Sequence, residues 1–480
     1  MPLPRRFLVG LSLLVASGRV IAAAAALPDR PDPREIPVPE IATTLPHLPG
    51  AAALPIQPDL PDVFTLNDGT RVTTPEQWAR RRTEIRTILE YYHTGRLPPA
   101  PGNVRGVELS NQLLHGGTIT YRLIKLVFGP GEKLSLHIGI YAPVGRGPVP
   151  TVIQPGNASP PGAPELPKLP PGPGQGRGWD ILLSADLLAT QAAEASPHPT
   201  PALTNAPRNH SGFGGPVDPE HVAATNLALA HGFAYVTFNV GDCAEDTTLR
   251  EPDGSFAFRT TRFFPAYPGY DWGIIGGWVW GTMRVVDYLQ HDPSVDPTKL
   301  IITGTSRIGK AAMISGAFDD RIALVAPGAS SGLGTPAYRF SGEDRGGGEG
   351  LTTMVRKYAN QFSPHLHEFW GQPERLPYDA HWFPALTAPR PWIALEGTRD
   401  PNVSHRGILE TWSHARPVYA FLGAADRIGV YWSDRPHGFG ETDWDGLLAF
   451  ADKHLLHQPV SRAFDLFPAD ASPTTAPTRP

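Results

Sequence analysis

The chain has 480 residues, 41% of them hydrophobic and 18% charged, which supplies a sizeable core and excludes a disordered polyelectrolyte. A formal charge of −5, with no basic run in the body of the chain, leaves no electrostatic footprint for nucleic acid. The single cysteine, Cys243, cannot form an intramolecular disulfide, so stability must come from packing.

In chain order, Arg5 and Arg6 precede an apolar run over 7–16 and small residues over 22–26, the pattern of an export signal cleaved near Ala26. Ser17, Gly18 and Arg19 interrupt that run short of the ~20 residues that a membrane span needs. No other segment is apolar enough, so a periplasmic or secreted protein without a membrane partner is expected. Residues 27–62 are Pro-rich and read as an arm or linker. A catalytic domain is expected over 63–457. Its first helix is predicted over 75–92, where Trp78, Ile85, Ile88, Leu89 and Tyr92 recur at helical spacing behind Thr74 as N-cap. Alternating stretches at 118–126 and 134–141, joined through Gly129, Pro130 and Gly131, read as antiparallel strands. The apolar run 149–154 fits a strand buried on both faces.

Residues 155–219 are dense in Pro, Gly, Ala and Ser, too long for an ordinary connection, and read as an insertion near the functional site. Regular alternation then resumes, with a helix at 222–230, a strand at 233–239, a helix at 272–289 and a strand at 300–303. Strand, helix and strand in that order call for a parallel sheet with helices on both sides. Further strands are expected at 322–326, 391–395 and 418–422, a closing helix at 444–455, and a flexible Pro/Thr-rich tail over 458–480.

The most informative stretch is L-I-I-T-G-T-S-R-I-G-K-A-A, residues 300–312. An apolar strand runs through Gly304 into Ser306, and a helix of small residues follows after Gly309. A serine on such a turn is exposed at the top of the sheet, with a helix N-terminus aimed at developing negative charge. The alternative is an ordinary N-cap serine. Two later residues bear on the choice. Asp400 falls just past the strand ending E-G-T-R-D-P-N, on the carboxyl edge where open α/β sheets place their chemistry. His437, in D-R-P-H-G, lies in the last loop before the final helix. Order along the chain is then Ser, Asp, His, as in an α/β-hydrolase fold, a three-layer sandwich with a largely parallel central sheet. Glu396, Asp426 and Asp434 compete with Asp400 for the acid. A serine hydroxyl is a poor nucleophile at neutral pH, so an imidazole must take its proton and a carboxylate must fix the imidazole tautomer. Arg307, next to Ser306, is placed to donate to an oxyanion, or to form a surface ion pair. Lys310, one turn further on the same face, suits substrate hydroxyls or a carboxylate, or is a solvated lysine.

These residues resemble a known family. G-T-S-R-I-G-K is similar to the G-C-S-R-x-G-K signature of the glucuronoyl esterases, carbohydrate esterase family 15. The similarity extends to residues 68–85, 317–324 and 376–391, and covers about 58–457. It implies hydrolysis of the ester between glucuronate on plant cell-wall xylan and lignin alcohols, with no metal or organic cofactor. It also implies Ser306 as nucleophile, His437 as base, Arg307 as oxyanion donor, Lys310 as a ligand of sugar hydroxyls and Glu349 as a further sugar contact. Many members carry their acid soon after the nucleophile helix, where this chain has Ala329 and Ser330; others use an Asp after the next core strand, which points to Asp400. Asn402 stands where the family has tryptophan, and Thr305 where it has cysteine. A sugar O-acetyl esterase or other carboxylesterase on the same fold, and a catalytically silent carbohydrate-binding homologue, are the alternatives. A monomer is expected.

Overall fold

A computed structural model describes residues 47–169, 218–342 and 345–471. The expected export signal, most of the insertion and residues 472–480 lie outside the described residues. The fold begins at a capping box: Thr74 accepts from the Gln77 N–H, Gln77 accepts from the Thr74 N–H, and Pro75 takes the first helical position. Helix α1 (Pro75–Leu89) buries Trp78, Ile85, Ile88 and Leu89, the residues its spacing selects.

Strand β1 (Arg105–Leu114) was not legible in the sequence, because it forms the outer edge of the sheet with both faces largely exposed, so no hydrophobic alternation marks it. Strands β2 (Ile119–Phe128) and β3 (Leu134–Pro143) pair antiparallel as expected, and β4 (Val149–Ile153) follows. The helix expected over 222–230 is two, α2 (Pro219–Thr225) and α3 (Leu227–Ala230), because the Asn226 side chain accepts from the N–H groups of Ala228 and Leu229 and starts a second helix. The chain continues through β5 (Ala234–Phe238), α4 (Ile274–Leu289), β6 (Val295–Thr305), α5 (Arg307–Phe318), β7 (Ile322–Gly328), α6 (Leu351–Lys357), α7 (Trp382–Thr387), β8 (Trp392–Gly397), α8 (His405–Phe421), β9 (Ile428–Ser433) and α9 (Glu441–Leu455).

The strand predicted over 418–422 is instead the last turn of α8. Ser404 caps that helix, and Ile408, Thr411, Ala415, Val418 and Tyr419 are buried at its helical spacing. Short apolar runs do not distinguish a strand from the end of a buried helix. The strand that leads to His437 is β9.

The sheet order is β1-β2-β3-β5-β4-β6-β7-β8-β9, antiparallel from β1 to β5 and parallel from β5 to β9. Alternate residues of the parallel strands feed two cores. Ile301, Leu324 and Ile393 pack with Leu447, Phe450 and Ala451 of α9, whereas Ile302, Val325 and Ala394 share a core with α4, α5 and α8. Helix, sheet and helix make the three layers. Cys243 is a buried filler in contact distance of α4, where a Cβ on Gly281 would meet its sulfur.

Both ends of the described chain are fastened. Residues 47–62, expected within an arm, dock on the body: the Gln57 N–H donates to Glu374 O at 2.7 Å and Ala51 is buried. Residues 458–471, expected within a flexible tail, lie along the sheet, with Phe464 buried and its carbonyl accepting from the Val430 N–H. The composition of these stretches is Pro-rich, but each carries isolated apolar anchors that find a groove only in the folded chain.

Candidate active site

The bend between β6 and α5 places Ser306 at φ 58°, ψ −124°, a left-handed conformation that a residue with a side chain adopts only under constraint, at a cost of about 1–3 kcal/mol. The surroundings impose it. The Ser306 N–H donates to Gly328 O of β7 at 3.0 Å, and the Lys310 N–H donates to Ser306 O at 3.0 Å. A Cβ on Gly309 would stand 2.7 Å from Gly328 O, so only glycine lets α5 approach β7 this closely. Ser306 makes no capping bond to the helix it precedes. The ordinary N-cap reading therefore fails, and the first N–H groups of α5 lack a side-chain acceptor there.

Asp400 and His437 come together from the loops after β8 and β9. Asp400 Oδ2 lies 2.7 Å from His437 Nδ1, and Asp400 Oδ1 accepts from the Asn402 N–H at 3.0 Å. The carboxylate is buried and the imidazole partly exposed. The two loops are laced together: the Arg399 N–H donates to Arg435 O at 3.1 Å, and a Cβ on Gly397 would stand 2.5 Å from that same oxygen. Arg435 in turn forks onto Asp443 of α9, at 2.6 and 2.8 Å, and donates to Leu395 O at 3.2 Å. A planar guanidinium with two fixed partners holds the His437 loop in one place.

Two rival acids fall away by position. Asp434 is 83% exposed and pairs with Arg399 on the surface, and Asp426 is 68% exposed beside Lys453. Glu396 is buried but engaged elsewhere. Its Oε1 lies 2.7 Å from Thr335 Oγ1, which also contacts Ser330 O at 3.0 Å. The Thr335 hydroxyl donates to Glu396 Oε1, a contact that favours the ionised carboxylate. Burial is the larger effect and pushes its pKa up to about 8. After β7 no carboxylate stands at the site: Ala329 occupies that turn, its N–H donating to Leu395 O at 2.9 Å.

Around Ser306, Arg307 is ion-paired with Asp246, whose other oxygen lies 3.4 Å from Gln361 Nε2. Burial lowers the Arg307 pKa, and Tyr358 and Glu349 oppose that shift. Lys310 is buried rather than solvated, and burial pushes its pKa down to about 8 against the field of Glu349. Glu349 accepts from the Ser331 hydroxyl at 2.6 Å, and its N–H donates to Asn402 O at 3.0 Å. Burial lifts the Tyr358 phenol to about 12, with Glu349 adding to the shift and Arg307 opposing it. The structure thus gathers Arg307, Lys310, Glu349 and the Asn402 backbone with Ser306, Asp400 and His437 on the carboxyl edge of the sheet.

Asp246, Ser331, Tyr358 and Arg435 were not anticipated. Only Asp246 carried a signal, since G-D-C-A-E-D follows the carboxyl end of β5 on the same edge. Among the described residues, no group of three or more His, Cys, Asp and Glu side chains is placed to hold a metal ion.

Fold and site define an α/β hydrolase, with Ser306 on the strained β6–α5 elbow and a hydrogen-bonded Asp400–His437 pair in the loops after β8 and β9. A family model described as "Glucuronyl esterase, fungi" matches residues 215–423. The chain is 27% identical to the 4-O-methyl-glucuronoyl methylesterase 1 of Wolfiporia cocos, over 83% of this chain and 81% of the relative. It is also 27% identical to the 4-O-methyl-glucuronoyl methylesterase of Phanerochaete carnosa, over 84% of this chain and 83% of that one. Among solved structures, a carbohydrate esterase family 15 glucuronoyl esterase from Caldicellulosiruptor kristjansonii is 25% identical at a TM-score of 0.61, covering 88% of this chain and 95% of its own. A glucuronoyl esterase from Solibacter usitatus shares the fold at a TM-score of 0.64 and 22% identity, covering 84% of this chain and 99% of its own. The chain is thus similar to glucuronoyl esterases of carbohydrate esterase family 15.

Proposed function

We propose that the protein is an exported serine esterase that hydrolyses a 4-O-methyl-glucuronoyl ester of plant cell-wall glucuronoxylan, through an acyl-enzyme on Ser306. The observation that carries this reading is the 2.7 Å contact of Asp400 Oδ2 with His437 Nδ1, on the sheet edge that presents Ser306. Asp400 holds the proton on Nδ1 and leaves Nε2 free to take the Ser306 proton. Ser306 Oγ adds to the ester carbonyl. The oxyanion is met by the Arg307 guanidinium and the first N–H groups of α5, donors each worth about 3–4 kcal/mol in such sites. The tetrahedral intermediate then expels the alcohol, which receives the proton from His437, and water deacylates the enzyme by the same steps and releases the uronic acid. Lys310 and Glu349 provide charged and polar groups for the sugar hydroxyls. Export rests on the sequence over 1–26; among the described residues no helix is long and apolar enough to cross a membrane.

The test compares methyl or benzyl glucuronate with aryl acetate, for wild type, Lys310→Ala and Asn402→Trp. A higher kcat/KM for the glucuronate ester, lost in Lys310→Ala, is expected. Tryptophan in place of Asn402 restores an apolar wall against the sugar, worth on the order of 1 kcal/mol, and lowers KM about fivefold. A preference for aryl acetate, with Lys310→Ala neutral toward the glucuronate ester, would transfer the assignment to a general carboxylesterase.

A further inference from the structure

Arg307 opens α5 and its side chain ends in a guanidinium on several rotatable bonds. To serve an oxyanion it must be held in one orientation before the charge develops, because a donor that reorganises during the reaction loses most of its advantage. Its ion-pair partner is Asp246, from the loop after β5. That loop is also fastened on both sides of Asp246. Glu245 is ion-paired with Arg262 and accepts from the Leu169 N–H at 2.9 Å, and Thr247 O accepts from Asn360 Nδ2 at 2.7 Å. The backbone on either side of Asp246 is therefore fastened independently, and the Asp246 carboxylate is carried to the Arg307 guanidinium as a group already fixed in position. Gln361 steadies its second oxygen at 3.4 Å, and Gln361 is itself anchored, its carbonyl accepting from the Ile275 N–H at 3.1 Å. The chain of contacts runs from α4 through Gln361 and Asp246 to Arg307, beside Ser306. A carboxylate that grips one part of a planar guanidinium orients the remaining N–H groups, which a lysine in place of the arginine does not reproduce.

We infer that Asp246 is a positioning residue for ester hydrolysis, acting by fixing the Arg307 guanidinium in the orientation that meets the oxyanion. This rests on the reading of Ser306 as nucleophile and Arg307 as oxyanion donor. Because the grip serves only the charge that develops in the transition state, its loss lowers kcat and leaves substrate binding nearly unchanged.

The experiment is a double-mutant cycle on the full chain with a glucuronate ester: Asp246→Asn, Arg307→Ala and the two combined, with Asp246→Glu as the conservative variant. Arg307→Ala is expected to lower kcat about 100-fold or more. Asp246→Asn is expected to lower kcat about tenfold with KM within about twofold, and to add nothing in the Arg307→Ala background. Asp246→Glu should recover part of the loss, and the affinity of a phosphonate transition-state analogue should fall in step with kcat. Additive effects of the two substitutions would overturn the inference, as would a change confined to KM or an Asp246→Asn protein that has lost its cooperative thermal unfolding. An Arg307→Ala enzyme with unchanged kcat would instead remove the oxyanion reading of Arg307, and Asp246 with it.

Discussion

Asp400 and His437 are 37 residues apart in the chain and 2.7 Å apart in space, Oδ2 to Nδ1, because β8 and β9 are parallel neighbours whose following loops share backbone hydrogen bonds. Asp400 is committed on both oxygens, one to the imidazole and one to the Asn402 N–H. A carboxylate in that setting fixes the tautomer of the histidine and stabilises the cation formed when it takes a proton.

Asp400→Asn is therefore expected to lower kcat by about 10³–10⁴-fold, because an amide donor facing Nδ1 enforces the wrong tautomer. Asp434→Asn and Asp426→Asn alter only exposed ion pairs and should stay within about twofold. Steady-state kinetics of the three variants decides the acid, and a larger loss in Asp434→Asn than in Asp400→Asn would reduce Asp400 to a turn residue.

Ser306 combines chemistry with backbone strain, and two substitutions separate them. Ser306→Ala and Ser306→Gly should both lack turnover, but glycine adopts φ 58° freely and removes about 1–3 kcal/mol of strain, more than the roughly 0.5–1 kcal/mol it loses by freeing the unfolded chain. The glycine variant should thus melt at a higher temperature than the alanine variant. Equal melting temperatures would mean that the elbow stores no strain.

The join between the two loops is testable at Gly397. Alanine there places a Cβ 2.5 Å from Arg435 O, well inside contact distance, so the His437 loop must move. Gly397→Ala is expected to lower kcat at least tenfold, since a displacement of about 1 Å in a catalytic group costs on the order of 10²-fold. Its melting temperature should also fall, and wild-type kinetics in this variant would show that the loops tolerate separation.

Glu396 gives a pH dependence of stability with a definite sign. Its pKa in the folded protein, pushed up to about 8, lies above the ordinary value of 4.5, so the folded state holds a proton that the unfolded chain releases. The resulting stability is fully present below about 4.5 and is lost as pH rises toward about 8. Glu396→Gln keeps an oxygen acceptor for Thr335 and has no proton to lose. The melting temperature of the variant relative to wild type should therefore rise steadily between pH 5 and pH 8, about the window those two pKa values bound. A constant difference across that range would show that Glu396 is ionised in the folded protein. At neutral pH, turnover of Glu396→Gln should remain within a few-fold of wild type, in contrast to Asp400→Asn.

By itself the sequence determined the parallel strands β4 to β8 and the turn that carries Ser306. Runs such as L-I-I-T and W-I-A-L-E are apolar on both faces and bounded by glycine, and the order Ser306, Asp400, His437 fits one arrangement of an α/β sheet. These signals are local, written in periodicity and in the residue types that a bend demands. Strand β1 escaped because an edge exposed on both faces needs no pattern, and 418–422 misled because an apolar run at the end of a buried helix looks like a strand. The contact of Asp400 with His437, the raised pKa of Glu396 and the ion pair of Asp246 with Arg307 are visible only in the tertiary structure. Each depends on burial and on contacts between loops far apart in the chain, and a carboxylate in a sequence does not reveal whether its partner is solvent, a threonine or an imidazole until the sheet brings those loops to one edge.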